Sequence, residues 1–206
     1  MEPISILAFD HRASFMTSFF GVEGEPSDVA VLQAQAAKWL IWRGLLVAIA
    51  GGAAASAGAL VDATYGTDVI EAAREARVRF AIPVEESGRE VFSFEVEDWR
   101  ERLAELRPTW AKALVRYNPD DDASKNEVQR RRLRELSDHC RIVGPPLMLE
   151  VLVSPTASQR ETVGHDRARF DRERREGLTV RGIEDLRSAG IVPALWKLEG
   201  FETPAS

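Results

Sequence analysis

Two lysines lie in stretches that otherwise have the composition of buried β-strands: Lys112 in Thr109-Trp-Ala-Lys-Ala-Leu-Val-Arg-Tyr117 and Lys197 in Val192-Pro-Ala-Leu-Trp-Lys-Leu-Glu-Gly200. Desolvating an ammonium is costly, so a lysine in a core is there for a partner or for its own chemistry. Desolvation and a second nearby cation favour the neutral amine, which can attack a carbonyl to form a Schiff base. The iminium withdraws electrons, so a carbon–carbon bond β to it can break while a neighbouring carboxylate carries protons. This is the chemistry of a class I aldolase.

The carboxylates are where such chemistry needs them. Asp10 closes the first apolar run, Asp62 the second and Glu85 the third; Arg116 ends the fourth, Glu150 lies in the fifth, and Lys197 with Glu199 closes the sixth. Period-two alternation puts Lys112, Leu114 and Arg116 on one face, Met148, Glu150 and Leu152 on another, and Lys197 with Glu199 on a third. In a parallel barrel such faces are luminal, and the carboxyl ends of the strands build the active site. Two lysines and several acids would then converge. A buried ion pair is the alternative for Lys112, Glu150 and Lys197, and a solvated strand end for Asp10, Asp62 and Glu85.

The elements that must position these groups follow from the pattern. Short apolar runs alternate with longer charged segments of helical period, the form of repeated βα units. Strands are predicted near 4–10, 58–63, 79–85, 109–117, 146–153 and 192–199, and helices near 28–50, 67–77, 95–106, 124–140 and 167–189. Ser124-Lys-Asn-Glu127 reads as a capping box, and Glu95 to Asp98 as the acidic head of the third helix. Pro108 and Gly190 mark helix ends. The polar stretch Ser154 to Asp166 reads as a loop long enough to act as a lid. The first strand leads into Phe9-Asp-His-Arg-Ala-Ser-Phe15 without a Gly-x-Gly-x-x-Gly fingerprint, which disfavours a dinucleotide fold. The expectation is a single α/β domain of the TIM (β/α)8-barrel type over residues 1–206, cut to about six βα units.

At 45% hydrophobic the chain can bury a substantial core, and its net charge of −6 offers no field for nucleic acid. The N-terminus lacks a signal peptide's basic start, and the longest apolar stretch, Gly44 to Leu60, reads as a helix running into a strand rather than a membrane span. Cys140 stands alone, so a cytoplasmic protein with an inert thiol is expected. His139, His165 and Cys140 lack metal-ligand spacing, and a divalent ion at Asp10, Asp62, Glu85 and Glu150 would be repelled by the lysines; no metal and no cofactor are expected. His11 follows the first strand and could touch substrate or serve as a loop spacer. The five tryptophans read as core, and Arg172 to Arg175 as a solvated helix face.

Leu7-Ala-Phe-Asp-His-Arg12, Leu60-Val-Asp62, Pro83-Val-Glu85 with Ser87-Gly88, Lys112-Ala-Leu-Val-Arg-Tyr-Asn-Pro119, Glu150-Val-Leu-Val-Ser-Pro-Thr156 and Trp196-Lys-Leu-Glu-Gly200 resemble the 2-deoxy-5-keto-gluconate 6-phosphate aldolase-like domain family (DUF2090). That family occurs in inositol catabolism and is similar to the class I tagatose-bisphosphate aldolases. The resemblance implies a TIM barrel acting on a phosphorylated keto-sugar or keto-sugar acid. It places the Schiff-base lysine at Lys197, a partner lysine at Lys112 that tunes the amine and binds oxyanion, and the proton-transferring acid at Glu150. It also implies substrate contacts at Asp10, and the candidate contact set is Asp10, His11, Arg12, Asp62, Glu85, Arg116 and Glu199.

Two departures from the family pattern carry expectations of their own. Glu85-Glu86-Ser87-Gly88 puts an anion where the family has a lysine, which should weaken phosphate binding nearby. Six units in 206 residues is roughly 34 per unit, so eight would need about 270. The units that commonly hold phosphate are therefore expected to be lacking, and open sheet edges would favour pairing with another copy. A catalytically silent remnant acting by association, or a metal-dependent barrel enzyme, is the competing expectation.

Overall fold

A computed structural model of the chain describes residues 4–52 and 56–201. Six strands, β1 (Ser5–Phe9), β2 (Ala57–Val61), β3 (Arg79–Pro83), β4 (Trp110–Arg116), β5 (Leu147–Leu152) and β6 (Leu195–Leu198), are hydrogen-bonded in chain order. The registers β1–β2, β2–β3, β3–β4 and β5–β6 are parallel. Helices α1 (Ala13–Phe20), α2 (Asp28–Ala50), α3 (Thr67–Glu75), α4 (Trp99–Leu106), α5 (Ala123–Ile142), α6 (Ala157–Thr162), α7 (Arg167–Phe170) and α8 (Glu176–Ser188) fill the gaps, with a π-helical turn, Asp171–Arg175, between α7 and α8. The architecture is α/β, with parallel strands joined through helices.

The chain forms two compact units, Met1–Gly88 with Glu95–Lys112, and Arg89–Phe94 with Ala113–Ser206; β4 passes from one to the other after Lys112. In the first unit, β2 (Ala-Gly-Ala-Leu-Val) is wholly buried, as an apolar run covered on both faces must be. Helix α2 starts at Ser27, whose hydroxyl accepts from Ala30 N, and turns Ala30, Ala34, Trp42 and Leu45 inward. Helix α3 buries Val69, Ile70 and Ala73, an i, i+1, i+4 stripe. The outer edge of β1 has no strand beside it among the described residues, and Leu7 there is 42% exposed.

In the second unit, α5 lays Asn126, Gln129, Leu133, Leu136 and Cys140 along one buried face. Burial pushes the Cys140 thiol up to about 12. Tyr117, fully buried, donates its hydroxyl to Asp185 and accepts from Arg130 Nη1 at 2.9 Å, which joins α5 and α8 to the end of β4.

Several boundaries differ from expectation for local reasons. Helix α5 is capped by Asp122, whose carboxylate accepts from Ser124 N and Lys125 N, so the Ser124 box is not the start. Helix α4 begins at Trp99, and Glu95 instead donates its N–H to Val84 O at 2.9 Å. The stretch read as a lid contains α6, closed by a reciprocal capping box between Thr156 and Gln159. Helix α1 was not anticipated either; Gly21, at φ 64°, ends it. Trp39 is 41% exposed rather than core. Residues 53–55 of the expected helix-to-strand passage, and 202–206 beyond the sixth strand, lie outside the described residues. No described helix is long and apolar enough to cross a membrane.

Gly66 precedes α3 where the chain leaves β2, and a Cβ there would lie 2.3 Å from Val61 Cγ2 and 2.5 Å from Asp62 O. Gly66→Ala is expected to lower stability by about 1–3 kcal/mol in urea denaturation. Gly44→Ala, mid-helix with open space around the new methyl, should instead raise it by about 0.5–1 kcal/mol.

Candidate functional site

In the first unit, Lys112 sits third in β4 with Pro83 as its register partner in β3. The ladder continues one step further: Val84 N donates to Lys112 O at 2.9 Å, which brings Glu85 over the lysine side chain. Lys112 Nζ donates to Glu85 Oε1 at 2.8 Å and to Asp10 Oδ2 at 3.0 Å, with 2% of its side chain exposed. Arg12, at the N-cap of α1, turns its guanidinium inward, donating to Glu95 and lying 3.6 Å from Glu85 Oε1. Glu95 also accepts from Arg102 at 3.3 Å. Asp10, Glu85 and Arg12 are thus brought together around Lys112. Burial pushes the Glu85 carboxyl above its ordinary value, against the pull of Lys112 and Arg12. Among the described residues Glu85 Oε2 and Arg12 Nε are buried without a hydrogen-bond partner.

A second buried lysine, Lys38 on α2, carries no such signal in the sequence. Its ammonium donates to Phe9 O at 2.7 Å, His11 O at 3.0 Å and the Asp62 carboxylate, using all three hydrogens. Asp62 accepts through its other oxygen from Thr64 N and Tyr65 N. Both groups are almost completely enclosed, so Asp62 organises the turn after β2 and presents no free edge to a substrate. Burial lowers the Lys38 pKa, with Asp62 opposing. His11 contributes its carbonyl here while its side chain stays exposed.

In the second unit, Glu150 of β5 and Lys197 of β6 are register partners, and Lys197 Nζ donates directly to Glu150 Oε1. The Lys197 side chain is 37% exposed, in contrast to the enclosed lysine expected. Strand β6 has a neighbour on one side only among the described residues, so half its surroundings are open. Glu199, two residues on, pairs with Arg175 at 3.1 Å. Arg175 belongs to the π turn and also donates to Gly200 O at 3.0 Å, so it is no solvated helix face. π turns recur at functional positions, a signal the charge run hid.

Two residues further along the chain from this pair, Leu152 and Glu199 help to line a cavity of about 350 Å³ together with Arg116, Arg160 and Arg167; Lys197 and Glu150 are not among its lining residues. A second, of about 310 Å³, shares Arg116 and Arg160 with it. The walls are fixed by side-chain amides. Asn118 Nδ2 donates to Ser154 O at 2.8 Å and Gln159 Oε1 at 2.7 Å. Asn126 Nδ2 donates to Asn118 O at 2.9 Å, and Gln129 Nε2 to Arg116 O at 3.2 Å. Among the described residues no group of three or more His, Cys, Asp or Glu side chains is arranged to hold a metal ion.

A family model described as "Uncharacterized protein conserved in bacteria (DUF2090)" matches residues 1–205. No curated protein matches the chain significantly.

Lys38→Met leaves Asp62 buried without a counter-charge and is expected to cost about 3–5 kcal/mol of stability, read by denaturant titration. Glu85 has a raised folded pKa, so the folded state binds more protons than the unfolded one above the ordinary carboxyl range, and this group's contribution to stability is lost as pH rises. The stability difference between Glu85→Gln and the wild type should therefore move in the variant's favour as pH rises from the ordinary carboxyl range toward neutrality. An unchanged difference would contradict the burial argument.

Proposed function

The chain belongs to the DUF2090 family, and from that premise we propose that it is a class I aldolase-type enzyme, built as a barrel-type α/β protein and acting in the cytoplasm on a phosphorylated keto-sugar or keto-sugar acid. The observation that carries the reading is the contact between Lys197 and Glu150: an amine and a carboxylate on adjacent parallel strands, in register and in direct hydrogen bond, two residues before Leu152 and Glu199 in the wall of a cavity large enough for a small substrate.

In the proposed sequence Glu150 takes a proton from the Lys197 ammonium, and the free amine adds to the ketose carbonyl to give a carbinolamine. Loss of water, with proton return from Glu150, leaves the iminium. Glu150, a carboxylate again, takes the proton from the hydroxyl on the β carbon, and the bond between the α and β carbons breaks. The bonding pair flows into the iminium, giving an enamine and releasing an aldehyde. Protonation of the enamine at its α carbon and hydrolysis of the new iminium return Lys197 and release the ketone.

A second reading, association through strand edges, is favoured by the apolar outer edge of β1. Leu7 and Ala8 are exposed there with no strand beside them among the described residues, and such edges accept another strand. Leu7→Lys should then shift a concentration-dependent dimer to monomer in light scattering after size exclusion; a wild-type monomer at all concentrations would remove this reading.

Borohydride reduction in the presence of a ketose phosphate is expected to add the reduced ketose mass to one peptide, that containing Lys197. Lys197→Arg should give no adduct, and Glu150→Gln should form it at least about 100-fold more slowly, the lower end of general acid–base contributions. Absence of an adduct in folded wild-type protein would sink the aldolase reading.

A further inference from the structure

We propose that the arginines after β4 and β5 in the second unit form a binding site for the phosphate group of a phosphomonoester, with Arg116 and Arg160 as its principal ligands and Arg167 at its rim. Two of these arginines carry charge that no carboxylate meets among the described residues. Arg116 is half-buried at the end of β4, and its guanidinium has no hydrogen-bond or ion-pair partner among the described residues. Arg160 donates one hydrogen to Pro155 O at 3.0 Å and faces no carboxylate. Arg116 and Arg160 line both cavities.

The acids around them have partners of their own. Arg175 takes Glu199 at 3.1 Å and Asp171 at 3.4 Å. In the neighbouring cavity Lys125 takes Asp121 at 2.6 Å and Glu90 at 2.7 Å. Asp166 caps α7, accepting from Arg169 N at 3.1 Å. Arg116 and Arg160, which pair with no carboxylate among the described residues, are planar, fork-shaped donors, the group best matched to a tetrahedral oxyanion.

The site is also prearranged. Gln129 holds the Arg116 carbonyl, and the bond from Asn118 to Gln159 fixes the first turn of α6, from which Arg160 projects. Less ordering is left for the ligand to induce. The placement deepens the aldolase reading and rests on it in one respect. Leu152 and Glu199, in the cavity wall, lie two residues beyond Glu150 and Lys197 on the same strand faces, a step of about 7 Å. A ketose whose carbonyl meets Lys197 would reach the arginines with a phosphate only a few bonds away.

The test is calorimetric titration with inorganic phosphate and glycerol 1-phosphate, with acetate as comparison, on the full chain. Saturable binding of both phosphates is expected, at least tenfold tighter than acetate. Arg116→Gln should weaken it at least tenfold, Arg116→Lys severalfold and Arg160→Gln severalfold; Arg187→Gln on α8, outside the cleft, should leave it unchanged. Arg160 stands on the exposed face of α6, so its variant reports even if Arg116→Gln fails to fold. Phosphate affinity unchanged in the Arg160 variant, or acetate bound as tightly as phosphate, overturns the proposal. Lys197→Arg separates the two readings. Phosphate binding retained with no borohydride adduct in the wild type removes only the aldolase chemistry, whereas an adduct with arginine-independent phosphate binding removes only this site.

Discussion

Four carboxylates, Asp10, Asp62, Glu85 and Glu150, are buried at or near the carboxyl ends of the strands, and that single fact forces a cation onto each. Asp10 and Glu85 share Lys112, Asp62 has Lys38, and Glu150 has Lys197. The consequence reaches beyond the pairs. Because Lys38 must bring its ammonium to Phe9 O, His11 O and Asp62 at once, the middle of α2 is tied to the ends of β1 and β2. Arg12 must reach Glu95, which ties the start of α1 to the return segment before α4. The acids at the strand ends thereby fix how helices sit in the first unit, a task usually left to apolar packing.

Much of this was legible, and the line between what was and what was not is physical. The strand lysines and their acids declare themselves because a β-strand alternates with period two, so a charge among apolar neighbours stands out within a few residues. Lys38 does not stand out: on α2 it lies in an Ala-rich helix whose outer face also carries Val29, Leu32 and Leu40, so period alone leaves its direction open. Its acceptors are 24 to 29 residues away in sequence. Glu95 looked like a helix head because acids suit that place, yet its carboxylate answers to Arg12, 83 residues distant. Helix α6 was different. Thr156 and Gln159 carry a capping-box spacing in plain view, and the polarity of the stretch outweighed it.

In the second unit amides do what ions do in the first. Asn118 spends its side chain on Ser154 O, Gln159 Oε1 and Asp120 N, and Asn126 and Gln129 spend theirs on the backbone around it. Neutral donors and acceptors satisfied in this way stiffen a region without adding charge. They shape the walls of a cleft while leaving the arginines that face it electrically unspent. Held at its start and first turn, the 154–166 stretch contributes to the wall of the cleft.

The π turn at Asp171–Arg175 has one more effect. Phe170 and Leu178 are both buried, at 1% and 4% exposure, yet eight residues of unbroken α-helix would rotate them about 80° apart. The wider turn absorbs one residue, about 100°, and returns Phe170 to the face carried onward by Leu178, Gly182 and Leu186. Arg175 occupies the last position of that turn. The extra residue therefore acts as a phase shifter: deleting one residue between Asp171 and Arg175 would let the helix close in regular form with its apolar seam unbroken. The cation that holds Glu199 would then point elsewhere.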